Sequence, residues 1–382
     1  MNTYVASHLK YMNRQQVYQL IKNTERISKA EITKQTGISP PTVIKIINFL
    51  LEKELVVMLG EVETAIGRRP HMLQINTRHM YAVSFVLEGD FLSMGIVDIL
   101  GKVLCKDTIR IKPDYSYIME RIKRELIDDL LKKAGISRKQ IFGLGIALTV
   151  IYDDDKKLIS NAPLISREDE LSMVPDMEEL SSGNKLIVMV ENDTNAQAIG
   201  EFRSGGYREK DDILFVSIGT GLGAGLILDG KLRRGSRYMC GEIGSTIFDL
   251  DYQCNGQEAG WLENVIGQRS IEKNFGVNVI NSGRPLSLKE REEICHYMDR
   301  TIALCIHNIN ACLDCKNVIL GGKMVEALGQ PLIDSVNRCL SDMYGGHTPV
   351  CRESSEDVGL VGMAWLLIDR KIREILMEGV DG

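Results

Sequence analysis

The sequence has no apolar run near the roughly 20 residues that a helix needs to cross a bilayer. Its longest, Val358 to Ile368, is about half that length and reads as a buried helix. The amino terminus, Met1 to Gln16, lacks the apolar core and cleavage site of a secretory signal. Cysteine is scarce and odd in number, nine in 382 residues, which argues against a disulfide scaffold. With 44% apolar and 26% charged residues, extensive disorder and collagen-like repeats are excluded as well. These absences predict a soluble, cytoplasmic protein without membrane contact, long enough for two or three compact units.

Charge is present but unevenly placed. Residues 1–80 hold eleven Lys/Arg against six acids, a balance of +5, while the remainder holds 35 against 46. A basic head on an acidic body predicts that the head meets a polyanion.

The pattern of the head predicts three short helices and a hairpin. Asn13 to Lys22 carries Val17, Leu20 and Ile21 on one face. Ser28 with Glu31 forms a capping box for a helix that stops at Gly37. Ser39 is expected to cap a third helix, with Pro40 at its first position and Val43, Ile46, Ile47, Leu50 and Leu51 facing inward. Pro41, Thr42, Lys45 and Asn48 then face outward, as on a helix that enters a major groove. Leu55–Leu59 and Met72–Ile75 read as strands of a wing whose tip, Gly67-Arg68-Arg69-Pro70, suits a minor groove. Ser39, Pro41, Thr42, Lys45, Asn48, Arg68 and Arg69 are the predicted DNA contacts. A solvated basic face on a protein-interaction module is the plainer alternative.

Beyond Asn76 strands and helices alternate, which predicts an α/β body with two lobes and a cleft. Tyr81–Leu87, Leu92–Asp98 and Gly101–Ile111 read as a strand meander, followed by a helix at Ile118–Ala134 and a strand at Ile141–Val150. Leu186–Val190 is a strand leading into a helix through Phe202; Ile213–Ile218 and Gly225–Leu228 are strands joined by a glycine-rich loop. Leu288–Leu313 is a long helix and Val318–Leu320 a strand.

Three segments carry a resemblance: Val190-Glu191-Asn192-Asp193-Thr194-Asn195-Ala196, the loop from Ser217 to Gly225, and Gly241-Glu242-Ile243-Gly244. In order and spacing they resemble the ROK family, which joins bacterial sugar kinases to transcriptional repressors of sugar metabolism. The resemblance implies an actin-like (ribonuclease H-like) ATPase/sugar-kinase fold behind a winged helix-turn-helix. The head would span 1–78. The first lobe would span 79–195, completed by a C-terminal helix in 355–382, and the second lobe 196–354.

ROK kinases begin the first lobe with a strand ending Asp-x-Gly-Gly-Thr, whose turn cradles the phosphates of ATP. Alignment on Asp98-Ile99-Leu100-Gly101 places Val86 at the Asp, Glu88 and Gly89 at the glycines, and Asp90 at the Thr. Two carboxylates there would repel a triphosphate. No catalysis and no ATP cofactor are therefore expected, although Asp193 stands where the kinases keep their catalytic base. Family members also hold a structural zinc with one His and three Cys. Those positions are Ser245, Cys254, Gly256 and Trp261, and one thiolate cannot hold the ion. Cys312-x-x-Cys315 lacks a second ligand pair, so no metal is expected.

The resemblance assigns Asn192, Asp193, Glu242 and Glu263 to the hydroxyls of a bound sugar. Glu191 and Glu201 are expected only to cap helices and line a solvated cleft. The reading is thus a sugar-responsive repressor of carbohydrate metabolism, a homodimer or homotetramer on an inverted-repeat operator. A ROK kinase with an added DNA head, and a regulator whose body binds a partner protein, are its two rivals.

Overall fold

A computed structural model of the chain describes residues 2–61, 71–160, 171–181, 186–253, 260–281, 284–345 and 348–380. The head opens with α1 (Asn2–Lys22), which starts well before the predicted Asn13 and buries Val17, Tyr18 and Ile21. Next comes α2 (Lys29–Thr36). The Ser28 hydroxyl accepts the Glu31 amide and the Glu31 carboxylate accepts the Ser28 amide, the reciprocal box that the spacing predicts. Gly37 ends this helix at φ 70°, a left-handed conformation that glycine adopts without strain.

In α3 (Pro40–Glu52), Val43, Ile46, Ile47 and Leu50 are buried. Ser39 sits at its N-cap position but does not bond the backbone; its hydroxyl pairs instead with that of Thr42 at 2.9 Å. The expected cap is thus corrected. Pro40 and Pro41 have no N–H, so the first turn leaves a cap little to satisfy. The wing consists of β1 (Val56–Glu61) and β2 (His71–Ile75), antiparallel, with Ile27–Ser28 paired on the far side of β2. Arg68 and Arg69 lie outside the described residues.

The first body sheet contains β3 (Tyr81–Glu88), β4 (Phe91–Asp98), β5 (Val103–Arg110), β6 (Ile141–Leu148) and β7 (Ile187–Asn192), in the order β7-β6-β3-β4-β5. The meander β3-β4-β5 is antiparallel, while β6 and β7 run parallel to β3. A parallel pair needs a crossover, supplied by the helical run from Tyr115 to Ala134. That run is broken by a π-helical turn at Ile122–Leu126 and is not the single α-helix expected. β7 passes directly into α4 (Asp193–Ser204).

The second sheet begins with the hairpin β8 (Ile213–Ile218) and β9 (Leu222–Leu228). The long helix α5 (Leu288–Leu313) then leads to β10 (Asn317–Gly321), the short α6 (Lys323–Leu328) and β11 (Val350–Arg352). Sheet order is Lys231–Leu232, β9, β8, β10, β11. The last helix, α7 (Val358–Met377), returns to pack on the first sheet and on α4. Among the described residues no helix is long and apolar enough to cross a membrane.

Two features tie these parts together. Helices α4 and α7 touch backbone to backbone: a Cβ on Gly200 would stand 1.7 Å from the Val358 carbonyl oxygen, and one on Gly362 1.7 Å from that of Ala196. Only glycine fits at either position. One apolar cluster then runs from Val17, Ile21 and Ile47 in the head to Trp365, Ile372 and Leu376 on α7, so head and body share a core.

Candidate functional site

Two surfaces gather the predicted residues. On the head, Ser39, Pro41, Lys45 and Asn48 are exposed, and Thr42 is partly buried beneath its bond to Ser39. Ile44 is also exposed on this face and was not among the predicted contacts. No acid occurs between Glu31 and Glu52, so no carboxylate interrupts the outward side of α3 over its first three turns.

In the body the predicted residues converge on the gap between the two sheets. Asp193 is the first residue of α4 and is almost wholly buried. Its carboxylate accepts the Thr149 hydroxyl and the Thr194 amide, each at 2.9 Å. Burial raises its pKa, against the pull of those two donors. Glu242 opens toward solvent, yet its pKa is raised by surrounding protein and then by the negative charges of Asp193 and Glu263. A Cβ on Gly244 would lie 3.0 Å from a Glu263 carboxylate oxygen, so the Gly241–Gly244 turn packs against that residue. Three acids are thus held together, and Glu242 has no cation among the causes of its shift. Such a set is stabilised by a partner that donates several hydrogen bonds and carries no negative charge.

Asn192 is placed differently. Its side-chain oxygen caps α4 by accepting the Asn195 amide at 3.0 Å, and its nitrogen donates to the Val150 carbonyl at 3.1 Å. One N–H and one lone pair remain for a ligand.

Glu191 and Glu201 do more than line a solvated cleft, because both are buried. Glu191 receives the Arg234 guanidinium, whose Nε stands at 2.9 Å, and the Asn195 side chain at 3.1 Å. Glu201 accepts the Tyr207 hydroxyl at 2.9 Å and both the amide and hydroxyl of Ser354 at 2.7 and 2.8 Å. Each joins α4 or its preceding strand to chain on the second-sheet side. Sequence spacing alone gives no sign of Arg234 and Ser354, which lie 43 and 153 residues away from Glu191 and Glu201.

The glycine loop is shorter than its sequence suggests. Gly223 and Gly225 lie within β9, and a Cβ on Gly225 would meet the Ala198 Cβ at 2.3 Å. They let α4 pack closely on the strand. Of the residues aligned with the ATP cradle, Val86 packs against Gly359 of α7. Glu88 crosses between the sheets, accepting the Lys323 amide at 3.0 Å and lying against Gly219. Asp90 turns away to pair with Arg110 at 2.5 Å. The expected pair of facing carboxylates is therefore a single one. Burial pushes the pKa of Glu88 up to about 7, and that of nearby Glu353 up to about 8. A cavity of about 410 Å³ opens beside Glu353, lined also by Lys106, Arg352, Ser354, Ser355 and Glu356. None of the four predicted hydroxyl-binding residues lines it.

At the positions aligned with a zinc site, the donor chemistry does not fit the ion. Ser245 ends a short 3-10 turn and Trp261 packs edge-on against Phe248, with ring centroids 5.5 Å apart. Cys254 and Gly256 lie outside the described residues.

Comparison with known proteins adds an independent line. The family model described as ROK family matches residues 89–370, and one described as winged helix-turn-helix DNA-binding matches residues 13–57. A xylose repressor of Caldicellulosiruptor bescii is 29% identical over 69% of the chain, and the match spans 65% of that protein's length. A xylose repressor of Bacillus subtilis is 23% identical over 97% of the chain and 98% of its own. Among solved structures, a ROK family transcriptional regulator homologous to the Escherichia coli MLC protein superposes with TM-score 0.75 at 22% identity, covering 98% of this chain and all of that one.

Proposed function

The chain belongs to the ROK family, and from that premise we propose that it is a sugar-responsive transcriptional repressor of carbohydrate metabolism. The head binds operator DNA and the inter-sheet cleft binds the effector. Relatives named as xylose repressors, one of them matched along nearly the whole chain, support this reading. The observation that carries it is the unbroken physical path from cleft to head. Asp193 begins α4, α4 rides on α7 at Gly200 and Gly362, and α7 ends beneath the head.

At that end Arg14 of α1 donates to the carbonyls of Leu376 and Glu378 at 2.8 and 2.7 Å, and lies 3.5 Å over the ring of Phe49 on α3. Lys10 donates to the Gly379 carbonyl at 2.7 Å, and Lys53, just past α3, pairs with Glu378. Any movement of α7 relative to the first sheet therefore reaches the helix that faces DNA. Asp193 and Glu242 bind hydroxyls and Glu263 joins them. Lobe movement around the sugar shifts α4, and α7 carries the shift outward. Two heads on a two-fold dimer then change their spacing on an inverted-repeat site.

Catalysis is not part of this function. A triphosphate would meet the Glu88 carboxylate already bonded to the Lys323 amide, and part of its negative charge remains at neutral pH. Among the described residues, Ser245 and Trp261 supply neither the imidazole nor the thiolate that a zinc site of the family type needs at their positions.

The experiment is a thermal-shift titration with a panel of free and phosphorylated pentoses, hexoses and amino sugars, followed by ADP release with Mg-ATP and each sugar that binds. A ligand selective for the native state raises the midpoint by mass action. The expected result is a shift with at least one sugar, absent in Asp193→Ala, and no ADP above background. No shift with any sugar would favour a partner protein as effector. Turnover abolished by Asp193→Ala would restore the kinase reading.

A further inference from the structure

Isoleucine is among the residues most often buried, yet Ile44 is 46% exposed in the middle of the outward face of α3. It lies one helical turn from Pro40 and Pro41 on one side and from Asn48 on the other, with Lys45 next to it. The leading edge of the helix is thus made of carbon: two proline rings and a branched aliphatic side chain. Because proline has no N–H, this edge lacks the first two of the amides with which a helix start usually holds a phosphate. Its surface matches an apolar partner, and the only apolar group displayed in the major groove is the 5-methyl of thymine. Lys45 and Asn48 flank it: the lysine ammonium can donate to guanine O6/N7, and the asparagine amide can accept from adenine N6 while donating to N7. A protein partner is the competing occupant, but a face with a lysine and no acid between Glu31 and Glu52 favours a polyanion.

We infer that Ile44 reads the methyl group of a thymine in each half-site, beside a guanine read by Lys45. The inference rests on the DNA-binding reading above and adds the base class at one position. Ile44 lies outside the polar stripe expected from the sequence because its side chain is apolar.

The test starts with full-length protein and a pool of random duplexes, from which bound sites are selected and sequenced. Each thymine of the selected site is then replaced by deoxyuridine, which removes only the methyl, and affinity is measured at one salt concentration. One thymine per half-site should show roughly fourfold weaker binding as deoxyuridine, the effect of one lost buried methyl group. Ile44→Ala should bind thymine and deoxyuridine duplexes alike, while Ile44→Val keeps part of the difference. Replacing the neighbouring guanine by 7-deazaguanine should still weaken binding by Ile44→Ala but not by Lys45→Ala. The proposal is overturned if the wild type ignores every deoxyuridine, or if Ile44→Ala remains equally sensitive. A change in sedimenting mass for Ile44→Ala would make the residue a subunit contact and overturn it too. Selection of no duplex at all would sink the DNA-binding reading itself, and this inference with it.

Discussion

The buried guanidinium of Arg14 donates to the backbone carbonyl of Leu376 across 362 residues of sequence. It thereby satisfies a terminal carbonyl of α7 that the helix cannot pair internally. Lys22 reinforces the same junction from 3.8 Å above the ring of Trp365, where burial pushes its pKa down to about 8. Arg14→Ala leaves two carbonyls unpaired and should cost on the order of 3 kcal/mol in urea unfolding. In the same variant, sugar should still bind, but its effect on DNA affinity should shrink. A variant as stable as wild type and fully responsive would show that the junction carries no signal.

Asp193→Ala and Glu242→Ala should each weaken sugar binding more than tenfold. A charge-assisted hydrogen bond contributes roughly 1.5–3 kcal/mol. Operator affinity without sugar should stay near wild type, since neither residue touches the head. Calorimetric titration with a sugar found by thermal shift measures the first, and gel shift the second.

Glu88 gives stability a pH dependence of defined sign. Its pKa is raised to about 7 in the folded chain, above the usual carboxylate value, so the folded state holds the extra proton. Stability contributed by the protonated form is present below the unfolded pKa and falls as pH rises toward 7. Glu88→Gln keeps an acceptor for the Lys323 amide without the charge. It should make the melting profile less steep between pH 5 and 8, gaining on the order of 2 kcal/mol at the upper end, while the slope due to Glu353 remains. A profile parallel to wild type would mean that Glu88 is not desolvated.

Removing Arg234 strands the buried carboxylate of Glu191. Arg234→Met should therefore destabilise by roughly 3–5 kcal/mol, and Glu191→Gln in the same chain should recover most of the loss. Melting curves of the two variants decide this, and no recovery in the double variant would show the pair to be uncoupled.

The head was largely legible in the sequence because its signals are local. Ser28 with Glu31, Gly37 and the stripe Val43, Ile46, Ile47, Leu50 each act within a turn or two. Ser39 departs from the expected cap because Pro41 offers it no N–H and its hydroxyl pairs with that of Thr42 instead. In the body, strands and their order along the chain could be read from apolar runs. Asp193, Glu242 and Glu263 are legible as candidates only through the family resemblance. The partners of Glu191, Glu201 and Asp90 were not legible, since nothing in local spacing encodes a contact 43, 153 or 20 residues away. The strand begins at Leu222, three residues before the expected Gly225, because glycine marks both turns and close helix approach, and only the position of α4 separates the two.

Operator affinity with and without a saturating sugar measures the coupling between the cleft and the head directly. Full-length protein is titrated onto its selected duplex at fixed salt, in the wild type and in Asp193→Ala. Coupling between two sites is typically worth 1–3 kcal/mol, so the sugar should shift the wild-type Kd by roughly 5- to 150-fold and leave that of Asp193→Ala unmoved. A sugar that saturates the wild-type cleft yet leaves its operator affinity unchanged would contradict the account.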